Sequence, residues 1–341
     1  MLGKLNQHTD TFTPDMNSIP PANEVISKKI LDKLDNTKVY PKFRGSMGII
    51  YAGVYNDKKI AIKIVPESTK KVVNDEAWVL SCLGICNIVN KSMVDVVKDL
   101  ELRIKNELSM DMEYKNWSLI NQDTLKSFGC RTVRPIHSLC DSDHFVYEYE
   151  LYKSLRTYIP ILNHSKKIDI YMRIVSMYLQ SQMNNIFIGD LNCGNFLYDE
   201  KLDEIIVIDY GCVMETNQKF RTCMNIFLYN ILYANTKYLV STFCNNSKKC
   251  EVLLNQIQHL LSDVETDFAN LELDLVIFDI DAITGSKFRP ETITILRSLS
   301  HLLLLAKKME IKLNIRKILI KYTPFDGNIS KYQPTNIDVL L

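Results

Sequence analysis

No apolar stretch in the 341 residues reaches the roughly 18–20 that a membrane-spanning helix needs. The amino-terminal MLGKLNQHTDTFTPDMNSIPP is polar and lacks the apolar centre of a secretory signal. Both absences predict a soluble, cytoplasmic chain and leave open only peripheral contact with a membrane. A basic surplus is missing too. The formal net charge is +1, which argues against nucleic acid as a partner, because such binders concentrate positive charge. Paired CxxC knuckles are also absent. The nine cysteines, at 82, 86, 130, 140, 193, 212, 223, 244 and 250, are scattered, and neither Cys82 and Cys86 nor Cys244 and Cys250 has a histidine nearby at zinc-ligand spacing. Reduced thiols are therefore expected, not a metal or disulfide framework. There is no internal repeat and no low-complexity block. What remains is a globular composition, 46% hydrophobic and 24% charged, which can bury a large core and excludes global disorder.

The order of patterns along the chain suggests two parts. Residues 1–21 read as a flexible tail ending at Pro20 and Pro21. Helical spacing follows from Asn23 to Asp35. Residues 43–65 are β-rich, with Asn56 and Asp57 as the turn of a hairpin. Residues 72–86 and 92–121 have helical spacing. A strand pair is expected at 132–140 and 144–151, turning at 141–143, and a helix at 168–185. Two short strand segments are expected within 186–213, and the stretch from 217 to about 322 reads as almost wholly helical. The fold class expected is α+β: a small antiparallel-sheet N-lobe with inserted helices (22–150) and a mostly helical C-lobe (151–322), with a loose tail at 323–341.

The densest chemical signal is DLNCGN (190–195) followed by IDYG (208–211). Phosphoryl transfer asks a protein for positioning and charge more than for covalent chemistry. It needs a carboxylate near the attacking oxygen and hard oxygen ligands for Mg²⁺. Asp190 fits the first task; Asn195 and Asp209 fit the second. A lone Asp or Asn in a loop is usually a turn residue. The D-x₄-N spacing, with an acid ending an apolar strand shortly after, is what shifts the reading, because a charge in an apolar run needs a partner. The second signal is IAIK (60–63), where Lys63 is placed to hold phosphates. Upstream, GSMG (45–48) offers Gly45, Ser46 and Gly48 as a loop whose backbone can approach them. Alone, that loop would be an ordinary hairpin turn. On the helix that follows, Glu107 and Asp111 share a face with Tyr114, and Glu113 stands beside them. A solvated face is the competing reading for each acid.

These residues resemble the UbiB/ADCK family of atypical kinase-like ATPases. ELSMDMEYKNWSL (107–119) resembles the family's E-L-x-x-E-x-D-[FY]-x-x-E-A-x-N segment. The stretch from Val133 to Leu155 resembles its hinge, and 289–314 its C-terminal helix. The catalytic loop H-x-D-x-H-P-G-N is matched at Asp190, Gly194 and Asn195, whereas Ile188, Asn192 and Cys193 depart from it. No K-x-G-Q motif stands before Phe43. The resemblance implies a two-lobed protein-kinase-like fold binding ATP and Mg²⁺ between the lobes, with adenine near Glu148–Leu151. It implies that Lys63 pairs with Glu107, not Glu76. It further implies an atypical kinase or ATPase acting on a protein, lipid or small-molecule acceptor. Two competing readings are a nucleotide-binding pseudokinase that works as a switch or scaffold, and a small-molecule kinase.

Overall fold

A computed structural model describes residues 19–35, 39–44, 48–72, 108–183, 185–218, 220–221, 266–267, 290–314 and 316–318. In chain order its first elements are α1 (Ala22–Val25), α2 (Lys28–Leu31), β1 (Tyr40–Arg44), β2 (Ile49–Tyr55) and β3 (Lys58–Ile64). Next come α3 (Met110–Leu119), α4 (Gln122–Lys126), β4 (Cys130–Thr132), β5 (His144–Glu148) and β6 (Lys153–Ser154). Then follow α5 (Leu155–Tyr158), α6 (His164–Met183), β7 (Ile186–Ile188), β8 (Phe196–Asp199), β9 (Glu204–Val207) and β10 (Val213–Glu215). The last are β11 (Thr266–Asp267), α7 (Pro290–Lys308) and β12 (Lys312–Leu313). The chain divides into two compact units, with boundaries between Lys115 and Asn116, Thr132 and Val133, and Leu151 and Tyr152. The strip from Asn116 to Thr132 thus belongs to the second unit, although the sequence pattern places it in the first.

The first unit is a four-stranded antiparallel sheet in the order β1-β2-β3-β5. The hairpin turn lies at Asn56 and Asp57, both with positive φ (51° and 61°), the backbone that a tight two-residue turn demands. Strand alternation sorts the side chains. Tyr51, Ile60, Ile62 and Ile64 face Ile26 and Ile30 from the amino-terminal helices in one buried cluster. Ala52, Ala61 and Lys63 take the other face, as the register pairs Ile50 with Lys63 and Ala52 with Ala61. A slip of one residue would bury Lys63 in the apolar cluster.

Local chemistry interrupts three patterns. The helix expected over 23–35 is two short ones, because Ser27 turns extended and its N–H donates to His144 Nε2 at 3.2 Å. Ile19, assigned to the tail, is buried in the apolar cluster, and Tyr51 Oη donates to the Pro20 carbonyl at 2.6 Å. The strand pair expected around 141–143 is reduced to β5 and a single bridge between Pro135 and Tyr147. Pro135 has no N–H to continue a ladder.

The second unit holds a sheet in the order β4-β9-β8-β6, with β4 parallel to β9 and the other pairs antiparallel. A two-stranded ribbon joins β7 to β10. Helix α6 buries Ile170, Tyr171, Ile174, Val175, Met177, Tyr178 and Leu179, and Asn185, at φ 65°, turns the chain out of it into β7. The carboxyl-terminal stretch is not all helix, since β11 and β12 pair antiparallel. Among the described residues no helix is long and apolar enough to cross a membrane.

Candidate functional site

In the first unit the Lys63 ammonium meets Glu113 Oε1 at 2.5 Å. The Lys63 side chain is 14% exposed and that of Glu113 is 2% exposed, so the carboxylate is buried and the ammonium partly so. Helix α3 delivers the carboxylate. Ser109 caps it, its Oγ accepting from Met112 N at 3.3 Å, and an acid in the first turn suits the helix N-terminus. The partner expected from the sequence was Glu107, which lies with Glu76, Gly45 and Ser46 outside the described residues. Glu113 and Asn116 have the E-x-x-N spacing that closes the family segment.

Gly48 is explained by its neighbours. A Cβ there would sit 2.8 Å from the Ile64 carbonyl oxygen and 3.9 Å from Lys63 Cε. Only glycine lets the loop approach β3 beside the lysine. At the other end of the sheet, Tyr40, Ala52, Val54, Lys59, Tyr149 and Leu151 line a pocket of about 220 Å³. Tyr149 is held there by its N–H, which donates to the Lys59 carbonyl at 2.9 Å. Lys58, 2.9 Å from Glu148, holds that carboxyl below the usual range. The pocket therefore lies at the strip read from the sequence as the hinge.

In the second unit, β7 and β10 clamp both ends of the catalytic-looking stretch, and Gly189 N donates to the Cys212 carbonyl at 2.8 Å. Asp190 Oδ1 accepts from Asn192 N at 3.1 Å. Asn195 Nδ2 donates to the Asp190 carbonyl at 3.5 Å. The β8–β9 hairpin returns the chain to Asn195, whose carbonyl accepts from Ile208 N at 3.0 Å, so Asp209 follows directly on a residue bonded to Asn195. Asp209 Oδ1 accepts from Gly211 N at 3.0 Å. Asn116 Nδ2 donates to the Tyr210 carbonyl at 2.9 Å in a buried position, and Tyr210 Oη donates to Val207 O at 2.5 Å. Within the first unit Glu113 meets Lys63, and within the second Asn116 meets the segment that bears Asp209.

The departures from the loop pattern have local duties. Ile188 is buried in β7. Asn192 Oδ1 accepts from Gly194 N at 3.0 Å and caps the short turn Cys193–Asn195. Cys193 is buried. Elsewhere, burial pushes the Cys130 thiol up to about 12 and that of Cys140 to about 11, which removes both as nucleophiles at neutral pH. Sequence reasoning missed His301, whose Nδ1 lies 3.1 Å from Asp190 Oδ1. A lone histidine in an apolar helix gives no signal of that kind. The expected residues that are described therefore fall into two sets: Gly48 and Lys63 in the first unit, where Glu113 joins them, and Asp190, Asn195 and Asp209 in the second.

The sequence matches the ABC1 atypical kinase-like domain over residues 23–243. A comparison with curated proteins returns no match. Among solved structures, the fold is similar to that of Rv3197 from Mycobacterium tuberculosis, determined in complex with erythromycin. The TM-score is 0.61 at 14% identity, over 91% of this chain and 84% of that one. The two agree in an α+β, two-lobed protein-kinase-like fold.

Proposed function

Because the chain belongs to the ABC1 atypical kinase-like family, we propose that it binds Mg·ATP and moves the terminal phosphoryl group to water or to an acceptor hydroxyl. The observation that carries this reading is the buried Lys63–Glu113 pair. Burying two charges is costly, and a hydrophobic pair of similar volume would often be as stable. A lysine on the third strand held by a helical glutamate is the phosphate clamp of kinases. In this reading Lys63 binds the phosphates, and the adenine lies in the pocket beside Tyr149 and Leu151.

Asn195 and Asp209 suit Mg²⁺ by chemistry: an amide and a carboxylate oxygen, with phosphate and water completing the shell. When bound, the ion would neutralise charge on the phosphates. Asp190 orients the acceptor O–H and receives its proton as the new P–O bond forms and the bond to the leaving diphosphate breaks. The acceptor is a protein, lipid or small hydroxylated molecule. A second reading, a nucleotide-binding switch without turnover, draws on Ile188 and Asn192, whose packing and capping duties need no chemistry.

Release of the γ-phosphate from Mg·ATP separates the two. The proposal expects turnover by the wild type and a loss of about 100-fold or more in Asp190→Asn, the scale of a lost general base. Mg·ATP binding with no turnover would favour the switch.

A further inference from the structure

The loop that bears Asp190 contains no histidine, yet an imidazole reaches it from the carboxyl-terminal helix. His301 sits on α7, and its side chain is 16% exposed. Its Nδ1 is 3.1 Å from Asp190 Oδ1. The approach is not aligned for a hydrogen bond, and this buried nitrogen has no hydrogen-bond partner among the described residues. A buried polar nitrogen left unpaired costs free energy, so the arrangement needs a reason.

The placement of His301 is fixed from behind. Ser298 lies on the adjoining turn of α7, and its hydroxyl shares a 2.6 Å hydrogen bond with Tyr178 Oη of α6 in a buried position. That bond sets the rotation of α7 and thereby aims His301 at the loop. On the other side, Asp190 Oδ1 already accepts from Asn192 N, which restrains the carboxylate but does not by itself fix its plane. A small turn of the imidazole would bring an Nδ1–H onto it. Hydrogen bonds at catalytic groups are often long or misaligned without ligand and tighten when it binds.

We propose that His301 is a positioning residue for Asp190: its Nδ1–H closes onto the Asp190 carboxylate when Mg·ATP is bound and holds that carboxylate toward the nucleophile. This rests on the reading of Asp190 as acceptor of the nucleophile's proton. His301 touches neither substrate nor metal and works through Asp190. Its signature is a change in kcat at nearly constant KM for ATP, coupled to Asp190.

The test is a cycle of His301→Phe, His301→Asn, Asp190→Asn and the double variant, followed by γ-phosphate release from Mg·ATP. His301→Phe should lower kcat on the order of tenfold, the scale of a contact pair, and leave KM within about twofold. His301→Asn, which keeps a donor near the Nδ1 position, should recover most of the rate. In the Asp190→Asn background His301→Phe should do nothing further. An equal loss in that background, or equal rates for the Phe and Asn variants, would overturn the proposal. A second readout does not depend on turnover or on the Phe variant folding. In ¹⁵N-histidine spectra the His301 Nδ1 signal should move on adding a non-hydrolysable Mg·ATP analogue, and this response should vanish in Asp190→Asn. A chain that releases no phosphate would sink the proposed function, while an unmoved Nδ1 signal would sink the inference about His301.

Discussion

Glu113 is the residue on which most turns. It is almost fully buried, so taking away Lys63 leaves a buried carboxylate without that cation. Lys63→Met and Glu113→Leu should each destabilise the protein by about 3–5 kcal/mol, the cost of breaking a buried pair. The double variant should recover most of that loss, because two apolar side chains replace two desolvated charges. Urea unfolding midpoints measure this, and strictly additive losses would show that the two residues are not coupled. The same residue shows how legible the site was. Lys63 and Asp209 stood out because each breaks an apolar strand-like run, and Asp190 and Asn195 because of their D-x₄-N spacing. Glu113 did not, since several acids crowd one helix and only the facing lysine distinguishes them. His301 was invisible, because its role depends on a contact with a loop far away in sequence.

The β2–β3 hairpin was legible for a local reason: Asn56 and Asp57 tolerate left-handed backbone, and the flanking residues alternate. The pairing of β4 with β9 was not, because a three-residue strand carries little pattern and its parallel partner lies far along the chain. At this scale the glycines of the hairpin should differ sharply. Gly48→Ala places a Cβ 2.8 Å from a backbone oxygen, whereas at Gly53 the nearest atom is 3.5 Å away. Gly48→Ala should lower the melting temperature and weaken nucleotide binding, and Gly53→Ala should melt within about 2 °C of the wild type. If the two behave alike, close approach is not why Gly48 is there.

The turn between β8 and β9 is tied to α6 by charge. Asp203 loses some hydration, which raises its pKa, but Lys166 at 2.6 Å, Arg173 at 2.9 Å and Tyr198 at 2.9 Å outweigh this and lower it to about 2. A carboxyl with a depressed pKa stabilises the fold above its unfolded value of about 3.9. That contribution is lost as pH falls through about 2. Between those limits the wild-type melting temperature should fall more steeply with pH than that of Asp203→Asn. Parallel curves would remove Asp203 as a source of acid sensitivity.

For the whole molecule, the two units carry different side chains: Lys63 paired with Glu113 in one, and Asp190, Asn195 and Asp209 in the other. The family match gives the fold to which both belong, and the proposed function gives each set its task. Calorimetric titration with ATP of the wild type, Lys63→Met and Asp209→Asn, with and without Mg²⁺, tests that division most directly. The account predicts that the wild type binds ATP tightly only when Mg²⁺ is present. Lys63→Met should lose affinity in either condition, and Asp209→Asn should lose specifically the gain that Mg²⁺ brings. Unchanged binding by Lys63→Met, or a full Mg²⁺ gain in Asp209→Asn, would contradict it.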